Sequence, residues 1–208
     1  MIFMRISRGF CLHMALVATP CLVAADQVDE IRANFALNGK PIQPGIVELF
    51  ETDPADLDPV VRAVDVSAAQ NSNRFFDNGT KEPLGWVRCK KHDPDDGSSF
   101  AYEFLGALPS GTLVVHTATS TGGAGTSESA LLFSVSMEPA LPGAGKTDPH
   151  AVLHLLENIV VGDRAGAVFH IQGKQVVITR AKAIDGETQP PLTINDPGPA
   201  ATPAPASP

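Results

Sequence analysis

Apolar and polar residues alternate along most of this chain, and a period of two predicts strands. The run 31–37 places Ile31, Ala33, Phe35 and Leu37 on one side and ends at Asn38-Gly39, a hairpin-turn signal. Residues 41–45, with Pro41, Pro44 and Gly45, read as a rigid turn, and 46–50 as a short helical or extended piece. The β-branched run 60–66 predicts another strand, reached through an acidic loop that carries Asp53, Asp56 and Asp58. Four further strands are expected at 86–91, 99–108, 111–119 and 130–138. Phe100, Tyr102 and Phe104 share one side of the second; in the fourth, Leu131, Phe133, Val135 and Met137 alternate with Leu132, Ser134 and Ser136. The short link Pro109-Ser110-Gly111 suits a hairpin, and 167–171 with 175–180 flank Gly173-Lys174 as a closing one. Short strands joined by Gly and Pro turns indicate a mainly β fold, an antiparallel β-sandwich or barrel-like domain.

One segment departs from that period. In 148–162, Asp148 suits a helix N-cap, Pro149 the first helical position and Gly162 the residue after the end, while Val152, Leu155, Leu156, Ile159 and Val160 recur at helical spacing. A helix over 149–161 is the expectation, with two short strands as its alternative.

The two ends of the chain differ from its middle. Arg5 and Arg8 precede an apolar stretch, and Val23 and Ala25 are small residues before Asp26, so 1–25 read as a cleavable signal peptide. His13 and Pro20 interrupt the stretch, leaving it short of the roughly 20 apolar residues that cross a bilayer, so no stable membrane span is expected. From Thr188 onward prolines and small residues dominate. Such a composition buries too little to offset the entropy of ordering, so 188–208 are expected as a disordered Pro/Ala-rich tail behind a single β-rich domain at 26–187.

Cleavage changes the charge and the cysteines. Loss of Arg5 and Arg8 leaves 13 basic against 23 acidic residues, a net charge of −10, which argues against nucleic acid as a partner. Cys11 and Cys21 leave as well, so Cys89 stands alone and no intrachain disulfide is possible. Cys89 shares a strand side with Val87 and reads as packed rather than as a nucleophile. Export of an unfolded chain also leaves no reason to expect a cofactor.

Several motifs suggest chemistry without securing it. Residues 140–147, ending in Gly145-Lys146-Thr147, match a loosened phosphate-binding loop, but neighbouring strands look antiparallel and nucleotides are scarce outside the cytoplasm. Residues 92–97 resemble a calcium loop whose glycine falls one position early. His150 and His154 would share a helix face, yet no acid lies between them as in a zinc protease, and no metal site is expected. For acid/base catalysis the candidates are His116, Glu103 and Asp163. For binding, the Gly/Ser/Thr-rich stretch 117–128 offers hydroxyls and free backbone N–H groups at Thr121, Gly122, Gly123, Gly125, Thr126 and Ser127.

With residues 38–45 near the mature start, Gly85-Trp86-Val87 midway and Gly162-Asp163-Arg164 before the closing hairpin, the chain resembles a group of exported bacterial β-rich proteins of unknown function. The resemblance implies a periplasmic or extracellular setting and carries no catalytic residues. The function expected is an exported noncatalytic binding or structural module acting on an envelope or extracellular component; the alternative is a secreted hydrolase.

Overall fold

In the computed structural model, residues 20–51, 61–69, 79–90, 97–122, 125–139, 149–163, 166–180 and 190–198 are described. Helix α1 (Pro20–Asn34) leads into β1 (Ala36–Leu37) and β2 (Lys40–Pro41), then α2 (Pro44–Glu48), β3 (Ala63–Asp65), α3 (Val66–Ala69) and β4 (Thr80–Lys81). The long strands follow: β5 (Trp86–Lys90), β6 (Ser98–Ala107), β7 (Leu113–Thr121), β8 (Thr126–Glu138) and β9 (His150–Asp163). Last come β10 (Val168–Gln172), β11 (Gln175–Thr179) and β12 (Leu192–Asn195). The fold is mainly β, as the sequence pattern predicts.

Strands β4 to β9 form an antiparallel meander, and β3 lies beyond β9, giving a seven-stranded sheet in the order β3-β9-β8-β7-β6-β5-β4. Strands β10, β11 and β12 form a second antiparallel sheet, and β1 with β2 a small hairpin. The β6–β7 turn closes tightly: Gly111 N–H donates to the Leu108 carbonyl at 2.8 Å with a left-handed φ of +87°, a conformation that suits glycine.

Both faces of the large sheet are covered. On one, Val87, Phe100, Tyr102, Val115, Leu131 and Phe133 pack under Val28 and Ile31 of α1, Phe35, Ile42, Ile46 and Val47 of α2, and Phe50. On the other, Val114, Ala130, Leu132 and Val161 meet Val176 and Ile178 of β11 and Ile194 of β12. Double coverage explains the unbroken apolar run at 130–133, because a strand buried on both sides needs no polar alternation.

Three expectations need correction. Residues 149–161 are not a helix; β9 runs His150–Asp163 and pairs with β8 along its length. Its register skips a residue twice, between the partners of Leu132 and Phe133 and between those of Glu128 and Ser129, so Leu156 and Val161 are bulged. Each bulge shifts the phase of alternation. The apolar positions consequently fall near helical spacing although the backbone is extended.

The stretch 31–37 is not a strand: α1 continues to Asn34, putting Val28 and Ile31 on its buried side, and only Ala36–Leu37 is extended. The Asn38-Gly39 turn holds, with φ of +55° and +73°, and both its N–H groups donate to Glu30, at 2.8 and 2.6 Å.

The expected tail begins too early. Leu192–Asn195 is a strand paired with β11, Ile194 is buried, and the Asp196 carboxylate accepts from Ser110 N–H at 3.1 Å and from the Ser110 hydroxyl at 2.5 Å. Leu192 and Ile194 alternate with Thr193 and Asn195, a short period-two signal set between prolines. Residues 199–208 lie outside the described residues, as do residues 1–19 of the expected signal peptide, residues 52–60 of the expected acidic loop, and the motif-bearing stretches 92–96 and 140–147.

Candidate functional site

The sheet brings two of the three catalytic candidates together. Trp86 stands opposite Glu103, Glu103 opposite His116 and His116 opposite Ala130, so the four share a row on the face that the second sheet covers. His116 is buried, at 6% exposure. Its ring is held between two aromatic side chains, with centroids 3.8 Å from Phe169 and 4.8 Å from Trp86. Phe169 comes from β10, so this contact joins the two sheets.

One carboxylate approaches the imidazole without hydrogen-bonding to it. Nε2 lies 3.7 Å from Oε2 of Glu128, within ion-pair reach but beyond a hydrogen bond, and no other described residue satisfies that nitrogen. Glu128 is itself anchored, accepting the Ala167 N–H at 3.0 Å. Burial pushes the His116 imidazole down to about 4, and burial pushes the Glu103 carboxyl above the usual range. At neutral pH His116 is therefore an uncharged ring in an aromatic slot.

Asp163 does not join them. It pairs with Ser127, which pairs with Thr119, and that row has the opposite parity to the row of His116.

The binding stretch is also rearranged. Strand β7 extends to Thr121 and β8 begins at Thr126, with Ser120 opposite Thr126 and Thr119 opposite Ser127. Much of what reads as a long polar loop is ladder, up to Thr121 and again from Thr126. Gly122 is exposed there with φ of +83°, Gly125 is half-buried, and Gly123 lies outside the described residues.

The other histidines are placed apart. On extended β9, His150 and His154 are separated by roughly 13 Å of backbone rise rather than one helical turn. His150 Nδ1 lies 2.9 Å from Asp65 Oδ2, and His154 Nε2 lies 2.6 Å from Glu138 Oε1 and 3.1 Å from Ser136 Oγ. The last group contains serine, histidine and a carboxylate, but serine and acid share one ring nitrogen. A nucleophile, base and orienting acid need opposite nitrogens.

One half-buried carboxylate carries no sequence signal. Glu51, just after Phe50, receives hydrogen bonds from the Thr117 hydroxyl at one oxygen and the Thr119 hydroxyl at the other. Burial raises its pKa, and the two threonines oppose that shift without cancelling it. The threonines lie on the α1–α2 face, and the Asn158 amide donates to the Phe50 carbonyl at 3.2 Å beside them. Glu51 thus fastens the segment after α2 to the sheet. Cys89, on the same face, is buried and forms no disulfide.

A surface pocket of about 180 Å³ opens near the end of α1, lined by residues including Asn34, Phe35, Lys81, Tyr102 and Phe104, and holds none of the catalytic or binding candidates. Among the described residues no group of three or more His, Cys, Asp or Glu is placed to hold a metal, and no helix is long and apolar enough to cross a membrane. Comparison with known proteins leaves the geometry to speak alone, since no family model, curated protein or solved structure matches the chain.

Sequence reasoning named His116 and Glu103 and missed Glu128, Trp86, Phe169 and Glu51. Glu128 was recoverable, because it stands two residues before Ala130 and so shares its face. Phe169 was not, because nothing local says which strand of a second sheet crosses His116.

Proposed function

We propose that this chain is exported, is cleaved after Ala25, and serves as a noncatalytic binding or structural module of the bacterial envelope or extracellular space. The observation that carries this reading is the closure around His116. A general base must reach the proton it abstracts, at about 2.6–3.2 Å or through one water. His116 instead has Trp86 and Phe169 against its ring and β10 in front of it. Glu128, its nearest carboxylate, is engaged by a backbone N–H rather than orienting the imidazole. The row of polar and aromatic groups makes better sense as the seam between two sheets.

Export is supported by the Arg5/Arg8 n-region, the apolar stretch after it and the small residues Val23 and Ala25. On this reading α1 starts at Asp26 in the mature protein. Asp26, Asp29 and Glu30 then stand in its first turns, where negative charge favours a helix N-terminus. The contact surface is the Gly/Ser/Thr-rich stretch from Thr121 to Ser127, whose sequence supplies hydroxyl groups and glycine backbone N–H groups.

A reporter fused after residue 25 should appear outside the cytoplasm; retention inside would remove the export half of the proposal. For the binding half, the chain from Asp26 is incubated with cell-wall and membrane fractions of its host. Replacing 122–125 by Asn-Gly should abolish the association while the melting temperature holds. Turnover of ester, peptide or glycoside substrates that disappears in both His116→Gln and Glu103→Gln would instead establish the hydrolase.

A further inference from the structure

We propose that the surface pocket at the end of α1 binds a small zwitterion with an apolar body, a free α-amino acid of the size of valine or leucine. The pocket, of about 180 Å³, lies between Ala33 and Asn34 of α1 and Lys81 of β4, over Phe35, Tyr102 and Phe104. None of the residues from Thr121 to Ser127 lines it, so the inference goes beyond the proposed function and stands without it.

The floor is aromatic and offers no hydrogen bond. Phe35 stacks on Phe104 with ring centroids 5.5 Å apart and meets Tyr102 edge-on at 5.4 Å. The Tyr102 hydroxyl, the one polar side-chain atom of the three, is engaged already, donating to the Ile42 carbonyl at 2.5 Å. Phe104 packs on the core yet stays half-buried. Phe35 follows α1 in the left-handed region, with φ of +49°, a position where glycine or asparagine is usual and a bulky residue is strained. Glycine would end the helix with less strain; phenylalanine keeps a ring on the pocket floor.

Polar recognition therefore falls to the rim, which carries both signs. Lys81 is exposed, and its ammonium meets no carboxylate among the described residues. On the α1 side, the Phe35 N–H donates to the Ile31 carbonyl, and no described backbone N–H takes the carbonyls of Ala33 and Asn34. Those groups form the negative end of the helix dipole and favour a cation.

Volume and charge select the occupant. A closed cavity of about 150 Å³ holds benzene, so this pocket suits roughly eight or nine non-hydrogen atoms. A plain carboxylate suits Lys81 but must approach a mature chain of net charge −10, and a plain amine suits the α1 carbonyls but is repelled by Lys81. A zwitterion answers both. Its carboxylate accepts from the Lys81 ammonium, its own ammonium donates to the α1 carbonyls, and its aliphatic side chain covers Phe35 and Phe104.

Leucine titrated into the isotope-labelled chain from Asp26 should shift the amides of Ala33, Phe35, Lys81 and Phe104 saturably, with a Kd on the order of 1 mM. Glycine lacks the apolar body, isocaproate the ammonium and isoamylamine the carboxylate; each should bind about tenfold more weakly. Lys81→Gln, an exposed change on the two-residue strand β4, should weaken leucine about tenfold and leave isoamylamine no weaker than in the wild type, a split that a folding defect does not produce. The inference is overturned by the absence of saturable shifts at those amides up to about 50 mM leucine, by isocaproate or isoamylamine binding as tightly as leucine, or by unchanged leucine affinity in Lys81→Gln.

Discussion

The two faces of the seven-stranded sheet solve the same problem in different ways. One is closed by helices and loops from the N-terminal part of the chain, and its half-buried acid, Glu51, is held by Thr117 and Thr119. The other is closed by a three-stranded sheet from the C-terminal part, and its buried base, His116, has no hydrogen bond on Nε2 among the described residues. The first face carries the larger core. The second carries a seam whose central polar group lacks a partner at Nε2 and stays neutral.

Truncating Phe133, which packs against Phe35 and Phe50, should have the largest effect. Phe133→Ala is expected to cost about 3–5 kcal/mol and to lower the urea midpoint of the whole domain. Ile194→Ala on the opposite face should cost about 2 kcal/mol. Its effect should appear first as local opening of β11 and β12, seen as faster amide exchange there than in β7. Equal global losses from both substitutions would mean that the two cores are not separable.

Charge should divide the faces next. The folded-state pKa of Glu51 is raised, so the folded state disfavours its ionised form. That penalty is absent at low pH and grows as pH rises from the ordinary carboxyl value through the raised one. Glu51→Gln should therefore raise Tm at pH 7 and leave it unchanged near pH 4. His116 has the opposite sign. Its folded-state pKa is lowered, so its contribution is fully present above the unfolded value and is lost as pH falls toward about 4.

The smallest effect is expected between β7 and β8. Replacing 122–125 by Asn-Gly should change stability by about 0.5 kcal/mol or less, because Gly122 is exposed and Gly125 half-buried. A larger loss in thermal melting would show that this stretch supports the sheet rather than a contact.

The alternation in β6, β7 and β8 was legible because each of these strands keeps period two for most of its length, and the Asn38-Gly39 and Gly173-Lys174 turns were legible from their residue types. Strand β9 was not, because bulges at Leu156 and Val161 imitate the spacing of a helix. The 31–37 segment failed for a related reason. Ile31, Phe35 and Leu37 are all buried, but from a helix, a left-handed residue and a two-residue strand in turn. At the candidate site, Glu103 and His116 stood out as chemical residue types. Their shared row, the Phe169 contact and the Thr-clamped Glu51 depend on strand registers that no local pattern encodes.

The central claim is that His116 is a seam residue kept neutral between two sheets. Native-state amide exchange at pH 7 and pH 5, corrected for intrinsic rates, tests it most directly in the wild type and in His116→Phe. Opening that hydrates His116 moves its pKa from about 4 to the ordinary value near 6.5, which favours opening at pH 5 by about 20-fold relative to pH 7. The amides of β11 should lose about that much more protection in the wild type than in the variant, in which the other titrating groups of the seam are unchanged. Equal losses in the two proteins would contradict the claim.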